Sequence, residues 1–274
     1  MHSTAGRPLG HHCADHPIPH PGDSDVIPPG GSVTVRRVPA ADRSPVLLWD
    51  IDGTLLRTPG LGVRAFARAL ESVTGHPIAR TTYDFGGKTD PVIARDLLAA
   101  VGVEGDRADA LVPRLLAEVE RTYDEFADDL RRTIVRLPGV PELLDRCHAA
   151  GAVQSVVTGN IRFVAHRKLQ AGDVHHRLLL DHGGYGSDHH ERAELVRLAL
   201  ARLAAHRGVD AIDPERVWVI GDTPRDAACA RDNGVRCLLV ATGTYDETAL
   251  QGLGAEHVLA DLADVESVVR LLTA

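Results

Sequence analysis

The stretch VLLWDIDGTLL, residues 46–56, decides the fold of this chain. Four apolar residues lead into Asp50 and Asp52, and Gly53 then breaks the apolar pattern. A short apolar run that stops at a turn residue is typical of a strand buried on both faces of a parallel sheet, although periodicity alone leaves a buried helix open. Because side chains alternate along a strand, both carboxylates would start on one side at its carboxyl end. Ligands bind at that end of α/β sheets.

The two acids indicate a bound cation. A bare DxD pattern also occurs as two solvated acids at a strand end, so the motif alone does not decide between the two interpretations. Burial favours the cation, because adjacent buried carboxylates repel each other unless a cation or a shared proton compensates. We therefore expect Asp50 and Asp52 to belong to a site for a metal ion.

The composition is that of a globular protein, with 25% charged and 44% hydrophobic residues. A net charge of -8 argues against a nucleic-acid partner, and no apolar run is as long as a membrane span. The four cysteines lack CxxC spacing, which predicts a reduced, cytoplasmic protein. Residues 1–44 are rich in His, Pro and Gly and lack an apolar period, so we predict a disordered tail.

Strand and helix patterns alternate through the second half of the chain. Strands are predicted at residues 153–157, 177–181, 217–220, 236–240 and 257–259. Such alternation is typical of an α/β fold, here a Rossmann-like doubly wound parallel sheet. Residues 61–136 show only helical patterns, one of them starting with Asp90 as its cap. We therefore predict an α/β core at 45–60 and 137–274, with 61–136 inserted as an all-helical cap domain.

Two further predicted strands end in polar residues. Thr158, Gly159 and Asn160 follow the second strand, where a hydroxyl and free backbone N–H groups suit an anionic oxygen. Asp222 and Asp226 follow a later strand and could complete an oxygen shell for a hard cation together with Asp50. Each pattern alone also fits an ordinary helix start. Their common position at strand ends predicts one site.

These motifs resemble those of the haloacid dehalogenase-like hydrolases, and among them the phosphoglycolate phosphatase-like members with a helical cap. The resemblance covers about residues 45–272 and rests on DIDGT, VVTGN and GDTPRD. It implies that Asp50 is the nucleophile that forms an aspartyl-phosphate and that Asp52 is the general acid and base. It also implies phosphate binding by Thr158 with its turn, and Mg²⁺ binding by Asp50, Asp222 and the backbone carbonyl of Asp52, with Asp226 supporting that shell.

The third family motif, a basic residue after the third strand, matches weakly. Arg192 is our assignment, and Lys168 is the second choice because it precedes that strand. The alternative is that Arg192 is a surface residue in a first helical turn. Lys88, in the glycine-rich FGGKTD segment (residues 85–90), is interpreted as either a substrate contact or a surface lysine. The segment does not form a nucleotide-binding P-loop, because Thr82 stands where that motif needs glycine.

The resemblance implies a Mg²⁺-dependent phosphatase acting on a small phosphorylated metabolite, as a monomer or homodimer. A phosphomutase of the β-phosphoglucomutase type is the alternative. A phosphonoacetaldehyde hydrolase is less favoured, because that group generally lacks the acid at Asp52 but uses a cap lysine, for which Lys88 is a candidate. A non-catalytic binding protein is disfavoured because every acid that the chemistry needs is present.

Overall fold

The computed structural model describes residues 44–77 and 85–274. All of the predicted tail except Ser44 therefore lies outside the described residues, as does Thr82. Within the described part of the chain, no helix combines the length and the apolar character that crossing a membrane requires.

A six-stranded parallel sheet forms the centre of the fold, in the order β5-β4-β1-β6-β7-β8. Its first strand pairs with β4 on one side, Val46 opposite Val153, and with β6 on the other, Val46 opposite Val217. The strands are β1 (Val46–Trp49), β4 (Val153–Thr158), β5 (Gly184–Tyr185), β6 (Val217–Gly221), β7 (Arg236–Val240) and β8 (His257–Leu259). Because the chain leaves β1 first toward β4 and later returns to β6, a crevice opens beyond the carboxyl ends of these central strands.

Helices cover both faces of the sheet. One face packs against α5 (Val140–Ala149), α6 (Arg162–Ala171) and α10 (Val265–Thr273). The other packs against α7 (Arg192–Arg207) and α8 (Pro224–Asp232), with the short α9 (Glu247–Leu250) nearby. The α/β doubly wound class is thereby confirmed. Trp49 and Trp218 are buried in the first of these cores, as their apolar flanks predict.

Four helices between β1 and β4 form a separate layer with its own core. They are α1 (Leu61–Thr74), α2 (Asp90–Ala100), α3 (Gly105–Glu125) and α4 (Ala127–Thr133), and we call them the helical layer. Their apolar residues pack with one another and with Ile161 and Val164 near the start of α6. A two-stranded antiparallel ribbon, β2 (Leu56–Arg57) with β3 (Val135–Arg136), joins the layer to the sheet. This layer occupies the region predicted as the cap.

Two local predictions are wrong. Residues 177–181 do not form the third strand: the chain makes 3-10 turns at His175–Arg177 and Leu180–His182, and β5 follows at Gly184–Tyr185. This segment is rich in leucine because its side chains pack against the core. Its backbone contacts β4 through the Leu179 N–H, which donates to the Gln154 carbonyl at 2.8 Å. Asp90 does not cap its own helix, because its carboxylate instead accepts the Ile161 N–H at 2.7 Å.

Candidate active site

A cavity of about 440 Å³ lies between the sheet crevice and the helical layer. Asp50, Asp52 and Asp222 line it from the loops after β1 and β6. Gly159 and Asn160 line it from the loop after β4. The polar ends of the three central strands therefore meet in one place, as their shared position in a parallel sheet predicts.

Arg192 is the buried cation beside Asp50. Its Nη2 atom lies 3.0 Å from Asp50 Oδ1 and 2.5 Å from Asp226 Oδ1. The side chain, at the start of α7, is 8% exposed, and both acids raise the pKa of its guanidinium against the effect of burial. Among the described residues its Nε–H is buried without a hydrogen-bond partner.

Asp50, Asp222 and Asp226 bring carboxylate oxygens within 4.8 Å of one another. Burial raises the pKa of Asp50, and repulsion by the neighbouring acids adds to this effect. The attraction of Arg192 opposes it only in part, so the pKa is about 6. Burial and the charges of Asp50 and Asp226 raise the pKa of Asp222 to about 8. The glycine backbone makes room for this crowding, because a Cβ on Gly243 would lie 1.6 Å from Asp222 Oδ2.

The donor set fits a hard divalent cation. Three buried carboxylates face one guanidinium, which leaves two negative charges that a divalent ion would balance. Asp226 already accepts protein donors on both oxygens: Arg192 on Oδ1, and the Thr223 N–H and hydroxyl on Oδ2. Asp50 and Asp222 therefore have the freer oxygens for an ion, while Asp226 holds Arg192 and caps α8.

Asp52 occupies a different environment from Asp50. Its Oδ2 accepts hydrogen bonds from Lys168 Nζ at 2.5 Å and Asn160 Nδ2 at 2.8 Å, and its Oδ1 accepts one from the Thr58 hydroxyl at 3.3 Å. Burial alone would raise the pKa of Asp52, but the Lys168 charge and these hydrogen bonds outweigh it and lower the pKa. Asp52 is therefore ionised in the free protein, and its side chain is 39% exposed.

The loop after β4 contributes mainly through its backbone and Asn160. The Thr158 hydroxyl is fully buried, is not among the groups lining the cavity, and accepts hydrogen bonds from Asn160 N–H and Nδ2. Asn160 in turn binds both Asp52 and Lys168. Gly159 lies against the FGGKTD segment, where a Cβ would be 2.1 Å from the Lys88 carbonyl oxygen.

The FGGKTD segment is held over the crevice by the first turns of α7 and α8 and by the loop after β4. Arg225 donates to the Gly86 carbonyl at 2.6 Å, and Arg192 donates to the Gly87 carbonyl at 3.2 Å. At its end, Asp90 N–H donates to the Gly159 carbonyl at 2.7 Å. Lys88 lines the cavity but forms an ion pair with Asp96 at 2.9 Å.

Sequence reasoning underrated Lys168 and missed the partners that the helical layer supplies. Lys168 is 6% exposed, and its Nζ lies 5.9 Å from the centre of the Tyr123 ring. Tyr123 and Asp90, both buried, also line the cavity. One signal was available: Lys168 falls two turns into a helix that starts beside the TGN turn, so its side chain can return to the strand ends. Tyr123 shows no such signal because its position depends on how the layer packs.

The fold and the site together define a class: an α/β protein with carboxylates at the ends of its central strands, covered by an inserted helical layer. The chain matches the family described as haloacid dehalogenase-like hydrolase over residues 47–231. It is 30% identical to phosphoglycolate phosphatase of Caulobacter vibrioides over 83% of this chain and 92% of that protein. It is 29% identical to N-acetylmuramic acid 6-phosphate phosphatase of Pseudomonas aeruginosa over 73% of this chain and 83% of that protein.

A solved structure, a hydrolase from Pseudomonas syringae, shares the fold with a TM-score of 0.62 and 20% identity. The match covers 84% of this chain and 100% of that one. The chain belongs to the haloacid dehalogenase-like hydrolase family, which confirms the resemblance drawn from its motifs.

Proposed function

We propose that this protein is a Mg²⁺-dependent phosphatase that hydrolyses a small phosphorylated metabolite through an aspartyl-phosphate on Asp50. The observation that carries the proposal is the pairing of a buried, crowded carboxylate with Arg192, 3.0 Å away, at the base of a cavity. The relatives named as phosphatases support the reaction class. The buried free cysteines Cys147, Cys229 and Cys237 support a cytoplasmic location.

Charge is the main obstacle to the first step. A carboxylate must approach a phosphoryl group that is itself negative, so the site has to neutralise the developing charge. Arg192 supplies one positive charge beside Asp50. Mg²⁺ held by Asp50 and Asp222 would supply the rest of that neutralisation. The backbone of the Thr158–Asn160 turn is the proposed phosphate cradle.

Asp52 is the proposed general acid and base. Its lowered pKa keeps Asp52 ionised in the free protein, and the ionised form is the one that can take a proton from water in the second half of the reaction. Donation to the leaving oxygen in the first half requires a higher pKa, and an arriving phosphate would raise it, because a nearby negative charge disfavours ionisation. Lys168 and Asn160 fix the carboxylate for both roles.

The test is phosphate release from a panel of phosphorylated metabolites, with and without Mg²⁺, by the wild type and Asp50→Asn. We expect Mg²⁺-dependent release that Asp50→Asn abolishes, because an amide is a poor nucleophile. Asp106→Asn, at an exposed acid in α3, is the control and should retain activity. Absence of release from every ester would contradict the proposal. Transfer of the phosphoryl group to a second sugar hydroxyl instead of water would identify a phosphomutase.

A further inference from the structure

The cavity has two chemically different sides. Its core side carries the ionised groups, among them Asp50, Asp52 and Arg192. Its other side, formed among the described residues by the helical layer and the FGGKTD segment, is lined mainly by apolar and aromatic side chains, several of them largely buried in the core of the layer. These are Val63, Phe66, Phe85, Ile93 and Tyr123. A ligand that fills the cavity would therefore meet charge at one end and apolar surface at the other.

The two charged residues on the apolar side are already engaged. Lys88 is paired with Asp96 at 2.9 Å, so its ammonium offers hydrogen bonds but little net positive charge to a ligand. Asp90 accepts the Ile161 N–H, and a carboxylate there would repel an anionic group on a ligand. Among the described residues, two further cations line the cavity: Lys168 is paired with Asp52, and Arg57, on β2, donates to the Thr242 carbonyl.

The exposure of Val63 independently indicates an apolar ligand surface in the cavity. It is 50% exposed, and among the described residues Val135 is the one other large hydrophobic residue with that exposure. Val63 lines the cavity, whereas Val135 lies on β3 and does not. Apolar surface left in water at a cavity gains free energy when a ligand covers it. Phe66 and Phe85 continue this surface, with ring centres 5.8 Å apart at an interplanar angle of 60°.

We infer that the helical layer carries an apolar leaving-group subsite, and that the substrate is a phosphate monoester whose leaving group is uncharged and presents an apolar face. This inference rests on the proposed phosphatase activity. The phosphate lies on the core side by Asp50 and Arg192, and the leaving group contacts Val63 and the Phe66–Phe85 pair. Val63 is the specificity-determining position that can be changed without disturbing the buried core of the layer.

The experiment compares n-alkyl phosphates from ethyl to hexyl, which keep the phosphate and the leaving alcohol chemistry nearly constant while apolar area grows. Burial of each methylene in the subsite should raise kcat/KM by about two- to fourfold until the cavity is filled. The comparison substrate is 2-phosphoglycolate, which has a carboxylate at the corresponding end. We expect it to be a poorer substrate than the longer alkyl esters.

Two matched variants locate the effect. Val63→Asp places a charge on the apolar side and should reduce the hexyl-to-ethyl ratio of kcat/KM by about tenfold. Val135→Asp makes the same change at an equally exposed valine outside the cavity and should keep the wild-type ratio. Thermal melting of both variants verifies that they are folded.

The outcomes separate this inference from the proposed function. Hydrolysis with no dependence on chain length would overturn the apolar subsite but not the proposed phosphatase activity. A preference for 2-phosphoglycolate would do the same, and it would indicate Arg57 as a carboxylate-binding group. A chain-length dependence that Val63→Asp does not change would place the subsite elsewhere and overturn the assignment. No hydrolysis of any ester in the presence of Mg²⁺ would overturn both proposals.

Discussion

At the level of single residues, the two acids of the DIDGT motif differ in the basic side chain that each one contacts. Asp50 lies beside Arg192 within a group of carboxylates, and its pKa is raised to about 6. Asp52 lies beside Lys168, outside that group, and its pKa is lowered. Different surroundings therefore give the same residue type two different pKa values, which suits the two roles proposed for these acids, nucleophile and proton carrier.

Replacing Lys168 tests this division. Lys168→Met removes the cation that fixes Asp52, and we expect kcat to fall by about 100-fold, within the range typical of general acid–base catalysis. Lys88→Met, at the one other lysine of the chain, is the comparison; it should act on KM and lower kcat by less than about threefold. The measurement is steady-state phosphate release with the best ester found. Equal losses of kcat in both variants would contradict the role of Lys168.

Asp90 should make stability depend on pH. Burial, only partly offset by Lys168, raises its pKa to about 7 in the folded protein. The folded state therefore holds this proton more tightly than the unfolded chain, and stability falls as the pH rises from about 4 to about 7, by about 1.4 kcal/mol per pH unit. The Asp90→Asn variant should not show this pH-dependent fall in stability, because it has no carboxyl group at this position. Its free energy of unfolding relative to wild type should improve by up to about 3 kcal/mol between pH 5 and pH 8.

Urea unfolding at the two pH values measures this change. Asp106→Asn, also at a first-turn acid but exposed, controls for the general effect of removing a carboxylate from the start of a helix. If the difference between Asp90→Asn and wild type were the same at both pH values, the buried carboxylate would not be the titrating group.

At the scale of elements, the FGGKTD segment depends on Gly159. A Cβ there would lie 2.1 Å from the Lys88 carbonyl oxygen and 2.9 Å from its carbonyl carbon, and both atoms belong to backbone that cannot rotate away. We expect Gly159→Ala to push the segment off the loop after β4 and to lower kcat/KM at least tenfold, with a lower melting temperature. Gly62→Ala is the folding control, because its Cβ would make only an ordinary 3.6 Å contact with the Tyr123 hydroxyl. An unchanged kcat/KM in Gly159→Ala would show that the close approach has no role.

The elements that the sequence predicted well are those whose signal is local. β1 and β6 are unbroken apolar runs that end at polar turns, β7 is apolar after Arg236, and all three form as predicted. The prediction for the third strand was wrong because the apolar run around Leu179 packs against the core. The strand that pairs with β4 begins at Gly184 instead. Gly184 shows no strand pattern; its lack of a side chain lets α7 approach, since a Cβ would lie 2.1 Å from the Leu195 carbonyl oxygen.

The same distinction applies to the site. Asp50, Asp52, Asp222 and Arg192 converge because the ends of parallel strands and of the following helices meet at one edge of the sheet, which the motif order predicts. Asp90 and Tyr123 come from the helical layer, and their approach to Lys168 depends on packing between helices far apart in sequence. That packing has no short sequence signature, so these residues could not be found from the sequence.

At the scale of the whole molecule, the acid cluster should link metal binding to stability. Mg²⁺ relieves repulsion among buried carboxylates that the folded protein alone cannot avoid, so its addition should raise the melting temperature by about 5 °C at saturating concentration. Asp222→Asn should remove most of this response and raise the melting temperature of the metal-free protein. Differential scanning calorimetry with and without Mg²⁺ measures both. A wild-type response that survives in Asp222→Asn would place the ion elsewhere.

The FGGKTD segment is anchored to the loop after β4 and to the first turns of α7 and α8 partly through its main-chain atoms, namely the carbonyls of Gly86 and Gly87 and the N–H of Asp90. Main-chain anchors do not depend on which side chains the neighbouring positions carry. The positions that face the cavity can therefore diversify while the cover remains in register with the chemistry beneath it. In an evolving lineage, this arrangement separates the choice of substrate from the preservation of the reaction, and exchange of the helical layer between relatives becomes a practical route to new specificity.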